Sequence, residues 1–187
     1  VERSRGLGDV YKRQITETGE LDLDDFRSKI SDRTRLVSLV HISNALGCCN
    51  PMDQVIPAAH AAGALVLVDA CQSLAHKSID VGGLDVDFLV GSSHKLCGPT
   101  GMGFLWAREA LLEAMPPFLG GGEMIQDVFL DHSTWAVLPH KFEAGTPAIG
   151  EAVGMGAAIR YLQAIGLEAI QAWEAQLTRH LFERLQA

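Results

Sequence analysis

The run Ala64-Leu-Val-Leu-Val-Asp69 constrains the fold more than any other stretch of this chain. It is apolar, rich in β-branched residues and unbroken until it ends in a carboxylate. A strand with one face in water alternates apolar and polar residues, whereas an unbroken run fits a parallel strand covered on both faces. Asp87-Phe-Leu-Val-Gly91 reads as a second buried strand of this kind. In open α/β sheets, ligands lie beyond the carboxyl ends of the strands. Both runs end in groups that can do chemistry: Asp69 after the first, and Ser92, His94 and Lys95 after the second.

The rest of the chain alternates helix and strand signals, which makes the fold class α/β. The acidic stretch from Leu21 begins a short helix reaching about Ile30, and residues 35–42 form an apolar strand. Asp53–Ala62 reads as a helix with Pro57 inside it and Gly63 as its stop. Phe104–Ala107 is a further strand, and Arg108–Met115 is a helix closed by Pro116 and Pro117. Residues 118–147 are rich in Gly and Pro and read as one long, loop-rich excursion, of the kind that usually carries function. Ile149–Ile165 is a helix whose Gly154 and Gly156 suit close packing; Gly166 breaks it, and Leu167–Leu185 is amphipathic. Residues 1–14 fit neither apolar period and resemble translated sequencing-adapter DNA, so they are set aside as non-native. That leaves 15–165 as a partial large domain and 166–187 as the start of a connection to a further domain, the chain being read as truncated at both ends.

Composition removes several classes. The chain has 187 residues, 48% hydrophobic and 20% charged, enough to bury a core. The formal net charge is −8 with no basic stripe, which argues against nucleic acid. No apolar run approaches the length of a membrane span, and no secretory signal is visible. Cys48, Cys49, Cys71 and Cys97 lack C-x-x-C spacing and a disulfide framework, so they read as reduced thiols of a cytoplasmic protein. The seven histidines form no H-x-x-x-H or H-E-x-x-H pattern, so no metal site is expected.

Gly91-Ser-Ser-His-Lys-Leu-Cys-Gly-Pro-Thr-Gly-Met-Gly103 concentrates the chemistry. A lysine at the mouth of a buried strand is partly stripped of water, which favours the neutral amine and allows Schiff-base formation with a carbonyl. Asp69 at a neighbouring strand end can pair with a protonated ring nitrogen, as acidic residues do in enzymes using pyridoxal 5′-phosphate. The alternatives are a solvated loop lysine and a helix-capping or turn aspartate. A phosphate loop is excluded: the Gly-Lys-Ser/Thr ending is missing and a strand, not a helix, follows. Cys97 reads as a turn or buried thiol rather than a nucleophile.

Val68-Asp-Ala-Cys-Gln-Ser73 followed by Ser92-Ser-His-Lys-Leu-Cys-Gly-Pro-Thr-Gly101 resembles the class V aminotransferase superfamily. Gly120-Gly-Gly-Glu-Met-Ile125 and Phe142-Glu-Ala-Gly-Thr-Pro147 narrow the resemblance to SufS-type (group II) cysteine desulfurases, also known as selenocysteine lyases. The resemblance runs from about Ile15 to the C-terminus. It implies a fold-type I large domain, a mostly parallel sheet sandwiched by helices, with β-strand 104–107 antiparallel. It implies pyridoxal 5′-phosphate anchored on Lys95, with Asp69 on the ring nitrogen and Gln72 on the phenolic oxygen. Ser92 and His94, two apart on an extended segment, would hold the phosphate. Asn44 would lie near cofactor and substrate, and Thr146 would reach the cofactor of the other subunit of a homodimer. The implied reaction converts L-cysteine, or selenocysteine, to L-alanine, passing sulfur through an enzyme persulfide to an acceptor protein of iron–sulfur cluster assembly. The persulfide cysteine, the substrate-binding arginine, the ring-stacking histidine and an N-terminal phosphate loop have no counterpart in this chain, so it is expected to be inactive alone. Another class V enzyme (an aminotransferase, an epimerase or a kynureninase-like hydrolase) and a non-catalytic remnant are the alternatives.

Overall fold

The computed structural model of the chain describes residues 15–186; the expectation for residues 1–14 lies outside the described residues. Helix α1 spans Leu23–Lys29, where Asp22 Oδ1 accepts the Asp24 and Asp25 N–H groups at 3.1 and 2.9 Å and so caps the first turn. Strand β1 is Leu36–Val40, helix α2 is Met52–Ala61 and strand β2 is Leu65–Asp69. Helix α2 runs on through Pro57 and turns into β2 at Gly63, whose φ of +77° suits a residue without a side chain. Strand β3 is Phe88–Ser92, β4 is Gly103–Ala107 and α3 is Glu109–Ala114.

Residues 118–147 are less irregular than their composition suggests. Strands β5 (Ile125–Val128) and β6 (Ser133–Trp135) pair antiparallel, with a register irregularity between them. A single 3-10 turn follows at His140–Phe142. Its Lys141 is buried, and the ammonium donates to the carbonyls of Leu112 and Glu113 at 3.0 and 2.9 Å, tying this segment to the end of α3. Helices α4 (Ile149–Ile165) and α5 (Leu167–Leu185) complete the described chain, with Gly166 at φ +91° between them.

The main sheet has the order β1-β2-β3-β4. The first three strands are parallel, and β4 runs antiparallel to β3, as the resemblance implied. In this register Asp69 lies beside Val40 on one side and Val90 on the other, and Ser92 lies opposite Gly103. Val66 and Val68 of β2 and Leu89 of β3 share one face and bury against Phe26, Val55, Ile56 and Ala59 from α1 and α2. By the two-residue period Asp69 and Ser92 project from the opposite face. That face is barer: Leu36 of β1 and Leu105 of β4 stay 50% and 47% exposed.

A second cluster joins Ala75, Leu96, Met155 and Leu162, with Met102, Phe104, Leu167 and Ile170 packed around it. It sets α4 and the start of α5 against the segment that carries Lys95. At the other end of the strands, buried Asp87 accepts hydrogen bonds from His60 Nε2 at 2.8 Å, the Val66 N–H at 2.8 Å and Arg108 Nε at 3.0 Å. Arg108 also pairs with Asp85.

Candidate active site at the carboxyl ends of the strands

Asp69 ends β2 half-buried. Its Oδ1 accepts the Cys71 N–H at 2.9 Å, which turns the chain away from the sheet. No ion pair neutralises Asp69 among the described residues. The aspartate therefore shapes a turn while its charge stays uncompensated.

The turn after Asp69 is wound by Ser73 and Leu74, whose N–H groups both return to the Ala70 carbonyl at 2.9 and 3.1 Å. It holds Gln72 on the wall of a cleft of about 630 Å³. Asn44, on the loop after β1, lines the same cleft with His76, Lys77 and Glu174 of α5. His76 Nδ1 and Glu174 Oε1 lie 2.7 Å apart across it.

Ser92 closes β3, and its Oγ lies 3.1 Å from Cys71 Sγ. The chain then departs from the expected extended path, because Ser93–Lys95 forms a 3-10 turn. Backbone bonds impose it. The Ser93 N–H donates to Met102 O at 2.9 Å, while the Leu96 and Gly98 N–H groups both donate to Ser93 O at 2.8 and 3.0 Å. His94 therefore sits on a turn and not on the extended segment that strand alternation from Ser92 would give. Gly98 is needed there, since a Cβ on it would come within 2.3 Å of Ser93 Oγ. The turn leaves His94 exposed and Lys95 half-buried, and Lys95 too has no ion pair among the described residues.

Cys71 links Asp69 and Ser92, its N–H donating to the first and its Sγ lying 3.1 Å from the hydroxyl of the second. Burial pushes its thiol above the ordinary value; the Ser92 hydroxyl lowers it, Asp69 raises it, the Lys95 charge lowers it, and the balance is upward. A carboxylate and a hydroxyl therefore touch Cys71, and the Lys95 charge acts on its thiol. Sequence reasoning passed over Cys71, whose one signal was its place two residues after Asp69. His41, directly after β1, is a further residue it missed. Among the described residues its buried Nδ1 has no partner, and burial followed by the Lys77 charge holds the imidazole below its usual pKa.

Thr146 stands apart from this cluster. It is exposed, and its segment is pinned elsewhere by the Gly145 N–H on Gly122 O at 2.8 Å. Cys97 is an exposed turn residue with φ +61°. Among the described residues no three His, Cys, Asp or Glu side chains form a metal-binding group, and no helix is long and apolar enough to cross a membrane.

The mostly parallel sheet, with a carboxylate and an amine at adjoining carboxyl ends, defines the chain as an α/β protein. The family model described as aminotransferase class V matches residues 3–187, and the chain belongs to that family. It is 55% identical over 172 residues to a probable cysteine desulfurase of Synechocystis, an alignment covering 92% of this chain and 41% of that protein. The solved cysteine desulfurase CsdA of Escherichia coli superposes with a TM-score of 0.87 at 37% identity, over 92% of this chain and 43% of that one. A variant of C-DES with glycine covalently linked to its pyridoxal-phosphate cofactor gives 0.76 at 25% identity, over 87% and 44%. The chain spans about two fifths of the length of these relatives.

Proposed function

We propose that this chain is the pyridoxal-phosphate-handling part of a cysteine desulfurase. The observation that carries the reading is the pair of opposite, half-buried charges, Asp69 and Lys95, both without an ion pair among the described residues and both acting on the Cys71 thiol. Leaving such groups unpaired costs stability unless a ligand completes them. The residues fit the cofactor: a carboxylate for a ring nitrogen, an amine for an aldehyde, and Ser92 and His94 for a phosphate. Gln72 fits the phenolic oxygen, Asn44 the substrate side of the cleft, and Thr146 the cofactor of a second subunit. The similarity to relatives named cysteine desulfurase supports the choice of substrate class.

When bound, the cofactor supplies an electron sink for charge developing on a substrate α-carbon. Asp69 holds the proton on the ring nitrogen by pairing with it. Lys95 would hold the cofactor's aldehyde through Nζ, and the same atom, as a free amine, would accept the substrate α-proton. Ser92 and His94 fix the phosphate end and so the ring's orientation. The whole protein converts L-cysteine to L-alanine and delivers the sulfur to an acceptor protein, or releases selenium where the substrate is selenocysteine, working as a cytoplasmic homodimer; residues 15–165 form its large domain and 166–187 lead out of it.

The test is borohydride reduction of the chain after incubation with pyridoxal 5′-phosphate, followed by peptide mass spectrometry. A phosphopyridoxyl group on Lys95, lost in Lys95→Ala and weakened in Asp69→Ala, is the expected result. Labelling spread over several lysines without preference for Lys95 would overturn the reading.

A further inference from the structure

The Cys71–Ser92 contact links two strand ends. The Cys71 backbone is fixed by its N–H on Asp69 Oδ1 at 2.9 Å, and its sulfur then lies 3.1 Å from Ser92 Oγ. A serine hydroxyl has one proton and two acceptor lone pairs. The direction of this one hydrogen bond therefore decides what Ser92 offers to a ligand. If Ser92 donates to sulfur, it presents only lone pairs outward, and these repel an oxyanion. If the thiol donates to Ser92, the hydroxyl proton is free to point at an oxyanion, and the bond it receives polarises it further. The thiol can donate only while protonated. Burial pushes its pKa up, with Asp69 adding to the rise against the opposing pull of Ser92 and Lys95. The protonated form is the one this site favours.

We propose that Cys71 is a positioning residue: its thiol donates to Ser92 Oγ and so turns the Ser92 hydroxyl into a donor for the phosphate of the bound cofactor. The inference rests on the cofactor reading above and adds a residue that acts on the phosphate through Ser92 without touching it. It accounts for a polar thiol at a position where a methyl group would fill the turn without orienting anything. The contact is conditional on β2 and β3 being neighbours, since Asp69 pairs with Val90 two residues before Ser92. Alanine at position 71 leaves the hydroxyl free to rotate. Serine retains a donor at nearly the same place.

The experiment titrates two probes, pyridoxal 5′-phosphate and pyridoxal, which lacks the phosphate, against the full chain. Occupancy is read by borohydride trapping at Lys95, and folding of each variant is checked by its thermal melt. Cys71→Ala is expected to weaken pyridoxal 5′-phosphate about tenfold, the worth of one hydrogen bond to a charged group, and to leave pyridoxal unchanged. Cys71→Ser is expected to restore most of the loss. In a Ser92→Ala background, Cys71→Ala is expected to add nothing, because the hydroxyl it orients is gone. Equal losses for both probes, or a full loss in the Ser92→Ala background, would show that Cys71 only packs and would overturn the proposal. The unaltered chain failing to trap either probe at Lys95 would overturn the cofactor reading and this inference with it. Trapping that is indifferent to Cys71→Ala would overturn this inference alone.

Discussion

His60 Nε2 lies 2.8 Å from Asp87 Oδ2 at the amino-terminal end of the strands, opposite the cluster around Cys71. The same oxygen accepts the Val66 N–H, and the other oxygen accepts Arg108 Nε. One buried carboxylate thus joins α2, β2, β3 and the end of β4.

Replacing Asp87 by alanine leaves a buried N–H without a partner and a guanidinium without its buried counter-charge. The expected loss is about 3–5 kcal/mol, read as a fall in the urea midpoint. Burial alone would raise the Asp87 pKa, but the bonds from His60, Val66 and Arg108 outweigh it and the balance is downward. A carboxylate depressed in the folded state stabilises above its unfolded pKa of about 3.9 and loses that contribution as pH falls through the folded value. The acid limb of stability is therefore expected to begin below about pH 4 for this group, and Asp87→Asn to remove that part of it.

His41 gives a second, separate pH response. Burial, then the Lys77 charge, lowers its pKa in the folded chain. The unfolded chain therefore binds the proton more readily, and the contribution is present above about pH 6.5 and is lost as pH falls from there. Denaturation midpoints measured between pH 8 and pH 5 are expected to drop for the unaltered chain, and to drop less for His41→Gln.

Lys141 is expected to matter through two hydrogen bonds and not through charge pairing. Lys141→Met keeps the apolar stem but strands the carbonyls of Leu112 and Glu113. A loss of about 1–3 kcal/mol is expected, together with faster limited proteolysis between residues 136 and 147. An unchanged cleavage rate would show that the segment carrying Thr146 is held by other contacts.

Gly103 faces the end of β3 so closely that a Cβ on it would lie 2.8 Å from the Gly91 carbonyl oxygen. Backbone cannot step aside as a side chain can, so Gly103→Ala is expected to cost about 1–3 kcal/mol in a thermal melt. Gly120→Ala, which meets nothing within 4 Å, is the control and is expected to stay within about 0.5 kcal/mol.

The sequence made the inner strands legible because β2 and β3 carry unbroken apolar runs, and it made α4 and α5 legible because Gly166 punctuates them. The hairpin β5–β6 escaped notice for a physical reason: its strands are four and three residues long, too short to display a period, and no two-residue turn marks them. The antiparallel course of β4 came from family likeness, since a short strand reads the same in both directions. At the proposed site, residue type and place at strand ends single out Asp69 and Lys95 in the sequence, and the structure puts both at the carboxyl ends of β2 and β3. Cys71 did not, because its meaning depends on Ser92, which is 21 positions away and becomes a neighbour only when β2 and β3 pair. The turn at Ser93–Lys95 was hidden too, since the Ser93 backbone that shapes it donates to the Met102 carbonyl and accepts the Gly98 N–H, partners outside the turn.

The segment carrying Lys95 leaves β3 and returns as β4, and its base is closed by the Ser92–Gly103 pair and by the Ser93 N–H on Met102 O. Lys95 consequently has no private route to local opening. Amide exchange at Ser93 is expected to wait for the β3–β4 ladder to part, following the slow opening of the sheet and not the fast rate of a surface loop. Lys95 is thus set on a turn that the backbone of the sheet shapes, with no ligand required to form it.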